Sequence, residues 1–176
     1  MGKNSEIIKQ NAPGTKGVDA VDRKLLTEMV QDAGLSYADL GKKVSLSAPA
    51  VHERVKRLRN SGVIKQSSVI LNPLLIGKSL VAFIHVNTSG WGMTRELLEF
   101  STYPEVEEIH SIAGDASLIM KVRTTDARAL EGLIAKLYKL QGVTSTKTFI
   151  VLSTYLERTI QPEHSPELAL SQSVDQ

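Results

Sequence analysis

The chain of 176 residues carries 21 Lys and Arg against 19 Asp and Glu, has no Cys, and is 41% hydrophobic with only 5% aromatic side chains. That length suits one or two domains with a substantial core. The lack of Cys excludes a disulfide scaffold, a thiolate metal centre and a Cys nucleophile. The polar start, MGKNSEIIKQNAPGTKG, has no apolar signal segment, and Glu6 stands where N-myristoylation needs Ser or Thr. No run is apolar enough to span a membrane, so a soluble cytoplasmic protein is expected, and the sequon at Asn87-Thr88-Ser89 reads as a coincidence.

The small net charge conceals a segregation. Residues 41–65 hold seven basic side chains (Lys42, Lys43, Arg54, Lys56, Arg57, Arg59, Lys65) against the single acid Glu53, so that window is +6 in a chain of net +2 and the remainder is −4. One basic window on a mildly acidic protein is the footprint of a polyanion-binding module, although a solvated helix face gives the same count.

In chain order, residues 1–17 read as a flexible arm, 18–66 as a helical domain, 67–77 as a hinge strand or linker, 78–157 as a mixed α/β domain and 158–176 as a poorly ordered tail in which LALS could dock locally. Asp19 or Asp22 can cap a first helix carrying Val21, Leu25, Leu26 and Met29 at helical spacing and ending by Gly34. Ser36 caps a second helix, 37–44. A tight turn at Ser45-Leu46 leads to Ser47, the N-cap of a third helix that tolerates Pro49 in its first turn and runs to about Asn60. Val51, Val55 and Leu58 form one narrow apolar stripe on it. Gly62 ends this helix, and Val63-Ile64 starts a wing or exit strand, giving a winged helix-turn-helix. The segment SSVILNPLLIG then reads as a strand, an Asn-Pro turn and a stop at Gly77.

The second block contains an internal repeat. A shift of 37 residues pairs Val81 with Leu118, Phe83 with Met120, Phe100 with Leu137 and Val106 with Val143. Each copy reads as strand, helix, turn, strand: LVAFIHV, a helix over 94–102 and VEEIHSIA, then SLIMKVR, a helix over 126–140 and VTSTKTFIVLSTY. Two βαβ halves joined by a tight turn at 113–116 make a ferredoxin-like βαββαβ domain, and the whole chain is α+β. Two helices cover one face of such a sheet; the other would expose Val, Ile and Phe side chains, which argues for burial against a second subunit.

The run VDAVDRKLLTEMVQDAGLSYADLGKKVSLSAPAVHERVKRLRNSGVIKQSSVILNP, with AGDASLIMKV and LQGVTSTKTFIV, resembles the Lrp/AsnC family of feast/famine transcription regulators over nearly all of 18–157. The resemblance implies a DNA-binding helix-turn-helix, a hinge strand, and a ligand-responsive ferredoxin-like domain through which homodimers form and assemble into tetramers or octamers. Double-stranded DNA is then the expected partner. Lys42, Lys43, Arg54, Lys56 and Arg57 are the candidates for phosphate contact, with Arg54 near enough to the apolar stripe to make an internal ion pair instead. Ser47, Ala48, Pro49 and His52 are the candidates for base edges.

The family's effector, usually an amino acid, lies between subunits near the turn joining the central strands. Here that implies Gly114, Asp115, Ala116 and Ser117, with Thr146, Thr148 and Phe149 as partners on the last strand. Many members carry Gly-Asp-x-Asp, whereas this chain has Ser117 at the second Asp, leaving open an unusual effector, none, or a plain hairpin turn. Ser45 likewise stands where Gly is common.

No cofactor or metal is expected: His52, His85, His110 and His164 show no ligand spacing, and no phosphate loop or nucleophile elbow appears. Strand alternation sends Glu108 and His110 to one face and Glu107 to the other, leaving the acids as surface charge. Sirohaem decarboxylases resemble this architecture and would use His85 or His110, but the basic third helix argues against an enzyme. An effector-blind architectural DNA binder is the remaining alternative.

Overall fold

A computed structural model describes residues 17–89 and 98–165. The expected arm over 1–16, residues 94–97 of the predicted helix and the LALS segment lie outside these described residues. The described residues divide into two compact units: one contains 17–69 and 158–165, the other the described part of Ile70–Glu157.

The first unit holds α1 (Ala20–Gln31), α2 (Tyr37–Val44) and α3 (Ala48–Asn60). Their caps follow the sequence. The Asp19 carboxylate accepts from Asp22 N while the Asp22 carboxylate accepts from Asp19 N, a reciprocal box that satisfies two backbone donors at once. Ser36 caps α2 through Asp39 N, and Ser47 caps α3 through Ala50 N. Leu25, Leu40, Val51, Val55 and Leu58 close the core between the helices.

The turn between α2 and α3 needs two backbone devices. Ser45 sits in the left-handed region at φ 58°. Gly41 is buried, and a Cβ there would lie 2.4 Å from the Leu46 carbonyl oxygen. The segment 158–165 belongs to this unit: Arg23 Nη1 donates to the Pro162 carbonyl at 2.7 Å, and Thr27 Oγ1 bonds the Glu163 carboxylate. The part of the tail expected to be poorly ordered is therefore tied to α1 as far as Glu163.

The expected strands at 63–64 and 67–71 find no sheet partner among the described residues. Val69, Ile70 and Leu71 are instead exposed. The Asn-Pro turn does form: Asn72 Oδ1 accepts from Leu74 N at 3.0 Å, and Gly77 completes it at φ +74°.

The second unit is a four-stranded antiparallel sheet of β1 (Leu80–Thr88), β2 (Val106–Ser111), β3 (Leu118–Thr124) and β4 (Val143–Ile150) in the order β2-β3-β1-β4. This is the ferredoxin-like order. Helix α4 (Ala127–Leu137), capped by Asp126, packs Leu130, Leu133 and Leu137 onto the sheet. The connection from β1 to β2 is described from Leu98 on and enters as a short 3-10 turn, Glu99–Thr102, that buries Phe100.

Alternation sorts the side chains. Ala82, Ile84 and Val86 of β1 and Leu118, Met120 and Val122 of β3 join the core with the helix. Val81, Phe83, His85, Ile119, Lys121 and Arg123 take the other, open face. The 37-residue shift is thus one residue out of phase within the strands: it matches Phe83, on the open face, to Met120, in the core. A shift of 36 matches Ile84 to Met120, since strand side chains change face with every residue.

The open face is only partly apolar. Lys121 and Arg123 form a buried-edge network on it with Glu107 and Glu157: Lys121 Nζ lies 3.1 Å from Glu107 and 2.5 Å from Glu157, while Arg123 reaches Glu107 through Nε and Glu157 through Nη2. Glu107 was expected on the opposite face from Glu108. A bulge between Val106 and Glu108 breaks the alternation and lets both acids reach Lys121.

Candidate nucleic-acid interface and effector turn

Helix α3, the candidate reading helix, is fixed from beneath. On α3 the inward line is Val51, Val55 and Leu58, all buried. Beside it, Arg54 and Arg57 reach across to α1. Arg54 Nη1 donates to Asp19 at 2.7 Å and to Asp22 Oδ1 at 2.8 Å, and Arg57 Nη2 donates to both Asp22 oxygens at 2.7 and 2.6 Å. Asp22 is fully buried. Burial alone would raise its pKa, but the bonds from Arg54 and Arg57 outweigh that and hold the carboxyl below its ordinary value.

Most of the expected phosphate-contacting cations therefore have internal partners. Lys42 pairs with Asp39 at 2.9 Å, Lys43 with Glu28 at 2.7 Å, and Arg54 and Arg57 with Asp22. For Arg54 the internal ion pair takes the place of an outward contact. Arg57 keeps half its side chain exposed, with Nη1 and Nε turned to no carboxylate. Lys56 is exposed and has no ion pair among the described residues, and the same holds for Arg59.

Of the expected base-edge residues, Ser47 spends its hydroxyl on the helix cap and Ala48 is half-buried at the first helical position. Pro49 and His52 are exposed. The His52 ring lies 5.5 Å from that of Tyr37, the first residue of α2, which places it on the flank of α3 that faces the second helix. In the sequence Asp22 reads only as an alternative cap for α1, not as the anchor of α3. The available signal was a second acid three residues after a first, facing an Arg pair at i and i+3 on α3.

The candidate effector turn, residues 113–117, is open at its tip. Gly114 and Asp115 are exposed, and Asp115 has no ion pair or side-chain hydrogen bond among the described residues. Ala116 is buried. Ser117 works structurally: its Oγ accepts from Thr88 N at 3.3 Å and its N–H donates to the Val86 carbonyl at 3.1 Å. The fold brings Thr146 into the same row as the end of this turn, through Leu118, Val86 and Thr146. Its hydroxyl is bonded to Tyr138 Oη at 3.1 Å.

Thr148 and Phe149 lie farther along β4, in register with Ile84 and Phe83, and point to opposite faces of the sheet. Within one protomer the seven residues do not converge. The His residues a tetrapyrrole enzyme would use both occupy the open face, each in register with Ile119. The His85 ring lies 5.0 Å from Phe149, and His110 Nε2 is 2.8 Å from Glu108.

The two units match two family descriptions: an AsnC-type helix-turn-helix domain over residues 18–59 and an Lrp/AsnC ligand binding domain over 81–161. The chain belongs to the Lrp/AsnC family of transcription regulators. It is 30% identical over 145 residues to the HTH-type transcriptional regulator FL11 of Pyrococcus furiosus, covering 82% of this chain and 96% of the relative. It is 34% identical over 151 residues to the leucine-responsive regulatory protein of Escherichia coli K12, covering 83% and 91%.

Among solved structures, AsnC of E. coli superimposes with a TM-score of 0.76 at 28% identity, covering 83% of this chain and 99% of that one. The Neisseria meningitidis regulator NMB0573, solved as a complex with L-Met, gives 0.77 at 25%, covering 81% and 95%. Among the described residues no helix is long and apolar enough to cross a membrane.

Proposed function

We propose that this protein is a sequence-specific, cytoplasmic DNA-binding regulator whose grip on its operator is modulated by an amino acid or a related small molecule. The observation that carries this reading is the construction of α3. One side is locked by Val51, Val55, Leu58 and the Asp22 ion pairs, and the opposite side, with Pro49, His52, Glu53 and Lys56, is exposed. A rigid helix with one free face is what insertion into a major groove requires.

Two such helices, one from each protomer of a dimer, would meet half-sites about 34 Å apart or a multiple of that. Lys56, with the free edge of Arg57 and with Lys42 and Lys43 exchanging their acidic partners for phosphate, supplies the salt-dependent part of the affinity. The dimer forms through the open sheet face, where Phe149 is exposed beside the half-buried Phe83 and Ile119, and dimers assemble further into tetramers or octamers. The effector sits at the Gly114-Asp115 turn, completed by residues of a neighbouring subunit, because Thr148 and Phe149 of the same protomer lie away from it. The Neisseria neighbour's complex with L-Met supports an amino acid as the effector class.

The test is equilibrium binding to a duplex from the gene's own upstream region and to a random duplex, at two salt concentrations, with and without an amino-acid mixture. Preference for the upstream duplex that persists as salt rises, together with a shift on adding amino acids, supports the reading. Equal and salt-sensitive binding to both duplexes identifies an architectural binder instead. No binding to either overturns the DNA reading.

A further inference from the structure

The middle of the outward face of α3 is an acid. At about 100° per residue, Glu53 lies half a turn from the buried line of Val51, Val55 and Leu58, closer to the centre of the exposed face than His52, which sits to one side against Tyr37. Its side chain is 70% exposed, and the one basic side chain within 4 Å of its carboxylate among the described residues is His52, through Nδ1 at 3.4 Å. Lys56 and Arg57, one turn further on, do not neutralise it, and Arg57 is turned toward Asp22. Glu53 also forms a wall of a shallow hollow on this face, with Lys56, Arg57, Asn60 and Ser61 as the others.

A carboxylate held there cannot contact phosphate, which would repel it, and it contributes nothing to the core. When α3 enters a major groove, this position is directed at base edges, where an ionised carboxylate can only accept hydrogen bonds. The major-groove donors are the exocyclic amino groups, and the pairing that geometry favours for Glu is with cytosine N4. Opposite a guanine O6 or thymine O4 the same carboxylate faces an acceptor and loses its hydration without compensation. We propose that Glu53 is a specificity-determining residue that reads a cytosine through its N4 amino group in each half-site. This rests on the sequence-specific reading above.

The experiment selects bound duplexes from a randomised library with the full-length wild-type protein and with E53Q, at fixed salt, and sequences both pools. Wild type is expected to fix a C·G pair at one symmetric position per half-site, with about tenfold weaker binding when that pair is exchanged. In E53Q the C preference is expected to disappear or pass to A, since a Gln amide pairs with adenine N6 and N7. Because Glu53 is exposed, the thermal unfolding midpoint of E53Q should match wild type, which separates lost reading from lost folding. A wild-type C preference that survives E53Q, with affinity rising equally on all duplexes, overturns the assignment and leaves Glu53 a repelling charge. A wild-type pool with no fixed base overturns the parent reading and this one with it.

Discussion

Arg57 on α3 reaches Asp22 on α1 through a single nitrogen, Nη2, which lies 2.7 and 2.6 Å from the two oxygens of a carboxylate that has no solvent exposure. The pair ties the helix that would read DNA to the helix beneath it. A fully desolvated anion of this kind is tolerated only while its cations remain, because the cost of removing it from water is not recovered otherwise. Asp22→Ala leaves two guanidinium groups without their shared anion, and Arg57→Ala leaves Asp22 with Arg54 alone.

For Asp22→Ala we expect a loss of about 3 kcal/mol, the low end for a broken buried pair because Arg57 is half exposed. Urea unfolding followed by far-ultraviolet circular dichroism measures it. Asp39→Asn, which touches only the exposed Lys42 pair and the Ser36 hydroxyl, is the control and should leave stability close to wild type. Equal effects from the two substitutions would sink the anchoring role.

Two ion-pair networks, Asp22 with Arg54 and Arg57 in the first unit and Glu107 and Glu157 with Lys121 and Arg123 in the second, set the acid limit of the fold. The folded-state pKa of Asp22 lies below its ordinary 3.8, and those of Glu107 and Glu157 below 4.5. For Glu107 burial works against the shift and the bonds from Arg123 and Lys121 prevail; for Glu157 the bond from Lys121 leads. A depressed carboxyl contributes stability that is fully present above its unfolded pKa and is lost as pH falls through its folded one. The urea midpoint should therefore stay level from neutral pH down to about 5, then fall steeply below about 4. In Asp22→Asn the fall should be shallower, since one titrating group has gone. A midpoint that declines already between pH 7 and 6 would contradict this assignment.

Lys56 and Arg57 are neighbours in sequence with different work. Lys56→Ala should leave the thermal midpoint unchanged and reduce the slope of log K against log salt by about 0.9, the value of one lost phosphate contact. Arg57→Ala should lower the thermal midpoint, because its first partner is Asp22, and change the slope by less. Calorimetry beside a salt titration of duplex binding separates the two. A larger slope change for Arg57 than for Lys56 would return Arg57 to the phosphate-contacting set.

Glycine content offers a mirrored pair of tests. A Cβ at Gly41 would lie 2.4 Å from the Leu46 carbonyl oxygen, a backbone atom of the turn that cannot rotate aside. Gly41→Ala is thus expected to cost about 1–3 kcal/mol by overpacking. Gly132, exposed on α4 with nothing within 4 Å of its Cβ position, should gain about 0.5–1 kcal/mol as Ala through helix propensity. Thermal melts of the two variants should move in opposite directions.

What the sequence made legible was whatever repeats with a local period. Val51, Val55 and Leu58 announce the buried side of α3, and Asp19, Ser36 and Ser47 announce where its helices begin, because caps and stripes are set by residues within one or two turns. What stayed hidden depends on distant partners or broken periods. Asp22 satisfies a capping pattern locally, and its Arg partners lie 32 and 35 residues away. Glu107 changes face because of a single bulge. Phe83 and Met120 match in character at a shift of 37 yet sit on opposite sides of the sheet. Ser117 looked like a missing ligand acid and is a backbone tie. The strands at 63–64 and 67–71 were readable as extended chain, but a strand needs a neighbour that the local sequence does not specify.

Asp115 is the sharpest test of effector control. Its carboxylate is exposed at the tip of the β2–β3 turn, while Ser117 holds the base of that turn to β1. Removing the Asp115 charge should therefore leave the hairpin intact and delete an acceptor for a ligand ammonium group. Asp115→Ala is expected to bind duplex DNA as wild type does and to lose the response to amino acids. That response should be worth roughly 1–3 kcal/mol in wild type, a five- to 150-fold change in apparent affinity. Ser117→Asp should strengthen the response by adding a second acid beside Asp115, unless the lost bond to Thr88 loosens the turn, which a lower thermal midpoint would report. A response that persists undiminished in Asp115→Ala places the effector away from this turn.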